Sequence, residues 1–340
     1  MKNFFFSTFF LIVLFFSSAK SDDLSRLIGK ATSVYAQHYL QPLANSFGAN
    51  LNSGLFHSAK VNPARPFSVD LYAGLQAFGS FVPDGDKKFS VSFVDTQRFI
   101  GPPIAPYDLR MPVTFTVTDA PTVFGETNNG SFVSSIDTMF SYNGQTIHIK
   151  ESDTLNTILP AISTTIVPFF VPQIGVGSVF GTDLLVRYLP LLKIPNYGEI
   201  RAWGVGVRHN ISQYLDMLPF DISAQFVLQG MAIKDTSDNN MLDISMFSAN
   251  IEISKTLALV TLYGGLQTES SSFDVNYTFQ PGPYPGNTNP KPIPFSLNLK
   301  GSNTFRGLIG LNINLGLLNL NADYSVGKIN VATAGLGIAF

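Results

Sequence analysis

The sequence FRGLIGLNINLGLLNLNADYSVGKINVATAGLGIAF, residues 305–340, decides the fold. Phe305, Ile309, Leu311, Ile313 and Leu315 alternate with Thr304, Arg306, Asn312 and Asn314. Leu318, Leu320, Ala322 and Tyr324 then alternate with Asn319, Asn321, Asp323 and Ser325. A third run puts Ala332, Ala334, Leu336, Ile338 and Phe340 on one face. A period of two is the signature of a strand whose two faces meet different surroundings. Each run lasts about 9–11 residues between turn signals, the length of a tilted strand crossing a bilayer.

A soluble antiparallel sandwich also alternates, with one wet face. Two features separate the readings. The polar face is mostly Asn, Ser, Gly and Thr, with few of the Lys and Glu that coat a solvated sheet. The apolar face continues through strand after strand with no second layer to cover it. Phe247, Ala249, Ile251 and Ile253 against Ser248, Asn250, Glu252 and Ser254 repeat the pattern upstream, and Phe67, Val69, Leu71, Ala73, Leu75 and Ala77 begin it.

Composition agrees. Only 13% of the residues are charged, against about 25% in soluble domains, and Phe alone supplies 30 of the 340. A formal net charge of −2 gives no reason to expect a nucleic-acid partner. Lys2, the apolar run Phe4–Phe16 and the small residues Ser17-Ser18-Ala19 form a secretory signal, with cleavage expected after Ala19. The apolar run Ile166–Ile174 is short and broken by Pro168 and Pro172, too little for a membrane helix. An exported, charge-poor chain of this kind closes its strands into a barrel, since only helices and closed barrels satisfy the backbone in lipid. The expectation is an all-β chain: a transmembrane antiparallel β-barrel of about 12–14 strands, with a short N-terminal helical plug. The divisions are residues 1–19 signal peptide, 20–66 plug segment and 67–340 barrel, located in the outer membrane.

Residues 22–41 read as the one clear helix. Leu24, Leu27, Ile28, Ala31, Val34, Tyr35, His38 and Tyr39 recur at helical spacing, and Pro42 is expected to end it. Asn45–Ala64 reads as a Gly/Asn/Ser-rich connector. The helix's apolar stripe needs cover, so it is expected to dock in or across the periplasmic mouth with Tyr35 and Tyr39 as packing anchors. Residues 101–171 are Pro- and turn-rich, with strand-like pieces at Met111–Val117 and Thr146–Lys150 that suggest outer hairpins.

Chemistry is sparse. His38, His57, His148 and His209 show no metal-ligand spacing, and HExxH and GxSxG are missing. With no Cys there is no disulfide framework. Asp235-Thr-Ser-Asp-Asn-Asn240 lacks the glycine and distal Glu of a calcium loop and reads as a hairpin turn. No catalytic, cofactor or metal site is expected, and the chain is not read as an enzyme. A lipid-modifying Ser–His site is the third alternative, because such groups need not be adjacent in sequence.

The last strand carries one more signal. Thr333, Gly335, Leu336, Ile338 and Phe340 resemble the C-terminal pattern by which outer-membrane barrels are recognised by their assembly machinery; Ile338 departs from it, the position being more often aromatic. Asn62-Pro63-Ala64, a strand-entry motif after a helical segment, resembles the entry of FadL-type outer-membrane transporters of hydrophobic compounds, in which an N-terminal hatch fills the barrel. Pro172–Pro190, Gly204–Ser212 and Thr122-Val-Phe-Gly-Glu126 are more closely similar to an uncharacterised family of Bacteroidetes-type barrel proteins. The resemblance implies passive uptake of a small hydrophobic ligand. The inward face agrees with this if Leu257, Leu259 and Tyr263 point into a lightly charged lumen. A structural barrel whose outer loops bind a partner is the alternative. Outer-membrane lipid and the assembly machinery are the expected partners.

Overall fold

The computed structural model of the chain describes residues 30–61, 67–99, 109–126, 130–142, 145–155, 161–194, 198–215, 218–279 and 293–339. The expected signal peptide and its cleavage site, the start of the helix, Asn62-Pro63-Ala64 and Phe340 lie outside the described residues. Among the described residues one α-helix, α1 (Lys30–Leu51), precedes fifteen strands: β1 (Phe67–Phe81), β2 (Lys88–Phe99), β3 (Leu109–Pro121), β4 (Ser131–Tyr142), β5 (Gln145–Leu155), β6 (Ile166–Val179), β7 (Thr182–Ile194), β8 (Gly198–Asn210), β9 (Asp221–Lys234), β10 (Asn240–Leu257), β11 (Val260–Phe279), β12 (Ile293–Lys300), β13 (Phe305–Leu315), β14 (Leu318–Val326) and β15 (Val331–Ala339). Among the described residues no helix is long and apolar enough to cross a membrane.

Ten strands close a barrel: β1, β6 to β11 and β13 to β15. Every pairing is antiparallel, and the ring is sealed where β1 meets β15, from Tyr72↔Ala339 to Ser80↔Val331. The expected count of about 12–14 is corrected to ten, because alternation alone does not tell a barrel strand from its neighbours. The other strands lie outside the ring. β12 pairs with the end of β11, and β2 to β5 form a separate four-stranded sheet inserted between β1 and β6.

Burial in the ring is inverted relative to a soluble protein. Gln76, Gln173, Arg187, Gln225, Gln229, Asn250, Gln267, Arg306 and Asn321 point inward and are buried. Ile174, Trp203, Phe226, Ile251, Leu266, Ile309 and Leu336 point outward and are exposed. Lipid is the surrounding that makes this pattern stable, so the fold is a transmembrane β-barrel. The inward face is more charged than expected, with Asp183, Arg187, Arg208, Glu252, Glu269, Arg306 and Asp323 around the lumen. Of the three apolar residues expected there, only Tyr263 is buried inside; Leu257 and Leu259 are exposed at a tight turn.

The two ends of the barrel differ. At the end shared by the start of β1 and the end of β15, here the near mouth, two-residue turns join β6–β7 (Phe180-Gly181), β10–β11 (Ala258-Leu259) and β13–β14 (Gly316-Leu317). Phe180, Gly181, Ala258 and Gly316 carry the positive φ that such turns demand. The opposite, far mouth carries the four-stranded sheet and the long β11–β12 extension.

The plug segment runs through this barrel from mouth to mouth. Pro42 does not end α1, which continues to Leu51 with the proline inside it. A proline lacks the N–H of one helical bond, and here burial of the surrounding turns against the sheet and barrel outweighs that loss. Residues 45–51 of the expected connector are therefore helix, and the segment from Asn45 to Val61 is largely buried. The first turns of α1 lie beyond the far mouth, not at the mouth shared by the strand termini. There Tyr35 meets Phe89 edge-on at 5.1 Å and Phe132 at 6.0 Å, and Tyr39 stacks beside Tyr35. The last turn enters the lumen, and residues 52–61 continue to the near mouth. One hydrophobic cluster thus joins three layers: Tyr35, Leu40 and Phe47 of α1, Val113 and Phe115 of the outer sheet, and Ile200, Ile244 and Phe273 of the barrel rim.

Candidate functional site

A helix leaves its last four carbonyls without helical partners, and inside a barrel each must find another. Gly48 O accepts from Asn52 N and Asn50 O from Ser53 N. Ala49 O accepts from Ser53 Oγ at 2.7 Å and from Arg306 Nη2 at 2.9 Å. Leu51 O accepts from Arg187 Nη1 at 2.8 Å and Gln229 Nε2 at 2.9 Å. Two guanidinium groups thus sit at the negative end of the helix dipole, where cations are favoured.

Arg187 is the centre of this grip. Its Nε donates to Gln173 Oε1 (2.9 Å), Nη1 also to Gln229 Oε1 (3.1 Å), and Nη2 to Ser53 O (2.7 Å) and Gly54 O (2.8 Å). All five donors of the fork are used, and the guanidinium carbon lies 5.4 Å from the centre of the Phe78 ring. Gly54, at φ +61, is the turning point. A Cβ there would come within 2.6 Å of Phe78 and 2.9 Å of Thr333. Lower down, Gln267 Nε2 donates to Asn52 O, Ser223 Oγ to Ala59 O, and Asn210 Nδ2 to Val61 O. Inward side chains from five strands therefore hold the segment through its backbone, a recognition that hardly depends on its side chains.

Below the helix a cavity of about 400 Å³ opens between residues 55–61 and the wall formed by β1, β6 and β7. Gly175 and Gly177 on β6 leave the room for it. Beside it Arg208 is held by Asp183 through Nε (3.1 and 3.2 Å) and Nη2 (2.5 Å), donates to Ser58 O, and lies 3.6 Å from Glu252. The His57 ring lies over Tyr72 at 4.6 Å, and its Nδ1 is buried with no hydrogen-bond partner.

The remaining histidines lie apart from one another. His38 stacks on Phe89 at 5.6 Å. On the outer sheet His148 Nε2 is 2.6 Å from Asp137 Oδ1, and that contact holds the Asp137 carboxyl below its usual range. At the near mouth His209 Nδ1 is 2.7 Å from Thr182 Oγ1. Asp235 accepts from the backbone N–H of Ser237 and Asn239, forming the hairpin turn between β9 and β10. Among the described residues no group of His and acidic side chains is arranged to hold a metal. In the last strand Thr333 and Gly335 face inward, and Leu336 and Ile338 face lipid. Arg187 and Arg306 were not expected as functional residues. Their one signal in the sequence is an arginine within a largely apolar strand.

No curated protein matches the chain. Among solved structures it is similar to OmpT, an outer membrane protein of Vibrio cholerae, at 10% identity and a TM-score of 0.27, covering 83% of this chain and 100% of that one. It is also similar to OpdO of Pseudomonas aeruginosa, at 9% identity and a TM-score of 0.22, covering 80% and 95%. OpdK of the same organism, solved with vanillate, gives 10% identity and a TM-score of 0.21, covering 80% and 98%. Likenesses of this size carry no functional argument. The profile of one family spans residues 1–340, and the chain belongs to that family, a family of unknown function (DUF6588).

Proposed function

We propose that the protein is a closed outer-membrane barrel that mounts a rigid β-sheet at the cell surface and acts there by contact with a partner. Short turns mark the periplasmic side of such barrels and longer elements the outside, so the near mouth faces the periplasm and the four-stranded sheet faces outward. The observation that carries the reading is the hydrophobic cluster shared by α1, that sheet and the barrel rim. A sheet packed on a helix that is itself locked in the lumen is a fixed platform, unlike a mobile loop. Outer-membrane lipid covers the apolar exterior, and the assembly machinery reads the last strand. The test is conductance of the purified protein in planar bilayers. No steady ion current is expected, and stable open steps in the unmodified protein would overturn the reading.

A second reading is uptake of a small hydrophobic molecule, as the FadL-type resemblance implies. The cavity at the near mouth favours it. Passage would require residues 44–61 to move, so a disulfide pinning Ala49 to Val171, its neighbour in a hydrophobic cluster, would abolish uptake under this reading and leave surface contact intact.

A further inference from the structure

We infer that the near-mouth cavity is a binding site for a small uncharged amphipathic molecule, with a hydrogen-bonding head beside His57 and an apolar body against Leu55, Phe56 and Leu185. Its volume of about 400 Å³ lies within the range of pockets that enclose small ligands. The wall is partly apolar through Leu55, Phe56 and Leu185, which are all buried.

The charge class follows from the polar groups. Arg208 spends its guanidinium on Asp183 and the Ser58 carbonyl, so the two deep charges of the cavity wall, Arg208 and Asp183, satisfy one another, and the buried Glu252, 3.6 Å from Arg208, lies behind the lining. The rim charges, Lys60 and Asp70, have opposite signs. Gln173 and Gln225 contribute neutral amides. A ligand carrying a net charge would shed water without meeting a free counter-ion, which is costly even in a partly buried site. A neutral hydroxyl, amide or ring N–H meets no such penalty, and the buried Nδ1 of His57 lacks any partner within the fold. Gly175 sits on the inward face of β6, opposite Tyr72 and Leu185. A Cβ there would approach Tyr72 Cβ no closer than 3.4 Å, an ordinary contact. The backbone would therefore accept a side chain at 175, which would occupy the cavity and leave the wall in place. The site binds whether or not the plug moves, and so stands apart from both functional readings.

The test uses the full-length protein in lipid nanodiscs and isothermal titration calorimetry with indole, an uncharged ring with one N–H, against indole-3-acetate and tryptamine as its anionic and cationic counterparts. Saturable binding of indole is expected, with both charged analogues at least ~10-fold weaker and Gly175→Leu reducing indole affinity at least ~10-fold, equivalent to about 1.4 kcal/mol. Heat-dependent gel mobility verifies that the variant is a closed barrel. If Gly175→Leu does not assemble, Leu185→Trp fills the same space from the next strand and carries the same expectation. Absence of saturable indole binding, unchanged affinity in the filled variants, or a charged analogue binding as tightly as indole would each overturn the assignment.

Discussion

Arg306 Nη2 lies 2.6 Å from Glu269 Oε1, and both side chains are only 1% exposed. Few ion pairs are so thoroughly removed from water, and this one is part of the hold on the plug. Arg306 also reaches Ala49 O and Ser53 Oγ, while Glu269 accepts from Gln267, whose amide bonds Asn52 O. Removing one member of a buried pair leaves an uncompensated charge, at a cost of about 3–5 kcal/mol. Arg306→Ala is therefore expected to raise hydrogen exchange at residues 49–53 by more than tenfold, while the barrel still migrates as a folded species before heating. The double variant Arg306→Met with Glu269→Met is expected to recover part of the loss. Unchanged exchange in Arg306→Ala would mean that the plug is held by packing alone.

The orientation of the chain can be read with single cysteines, because the protein has none of its own. Gly85 lies in the far-mouth turn with nothing within 4 Å of its Cβ position, and Leu317 lies in a near-mouth turn with 58% of its surface exposed. Gly85→Cys is expected to react with a membrane-impermeant maleimide on intact cells, and Leu317→Cys only after the outer membrane is permeabilised. The reverse pattern would invert the barrel and remove the outer sheet from the surface.

The strands were legible in the sequence because lipid outside and polar groups inside impose opposite demands on neighbouring residues. Leu318 to Ser325 states that demand almost without exception. The strand count was not legible, since Val113, Phe115 and Val117 alternate just as well while covering a helix. The plug was half legible. Its apolar stripe at Tyr35 and Tyr39 shows a face to be buried, but not what buries it. Pro42, Gly48 and the Asn/Ser-rich run after them carry the local signals of a loop, and tertiary packing overrides those signals. The hold on the plug left almost no trace, because the groups held are main-chain carbonyls. Arg187 and Arg306 stand in the sequence as isolated charges, and only closure of the ring brings them to one helix end.

The contact between helix and outer sheet is expected to fail in alkali. Burial raises the Tyr35 hydroxyl from its ordinary 10.0 to about 12, and burial likewise raises Tyr39, with Tyr35 adding to the effect. A raised folded pKa means that the folded state prefers the neutral phenol. The stabilisation is whole below pH 10.0 and is lost as pH climbs towards about 12. Protease sensitivity of the outer sheet should rise in that window, and the variant with Tyr35→Phe and Tyr39→Phe should resist to higher pH. Equal sensitivity of the two proteins would place the alkaline transition elsewhere.

The last strand separates recognition from closure. β15 pairs with β14 on one side and β1 on the other, so it is the strand that seals the ring. Its inward residue Gly335 admits a side chain only if the buried amides of Gln76 and Asn321 move aside, since a Cβ would lie 2.4 Å from Gln76 Oε1 and 2.5 Å from Asn321 Nδ2. Gly335→Val therefore overpacks the lumen wall, at a cost of about 1–3 kcal/mol or more, and should impair the barrel both in cells and on refolding into detergent micelles. Phe340 is the residue after Ala339, the partner of Tyr72 in that ladder. Deleting it should lower the amount of barrel in the outer membrane several-fold and yet leave refolding in micelles at the rate of the intact chain. Normal membrane levels of the truncated protein would show that the assembly machinery does not read this residue. Slow refolding in micelles would instead assign Phe340 to closure of the ring.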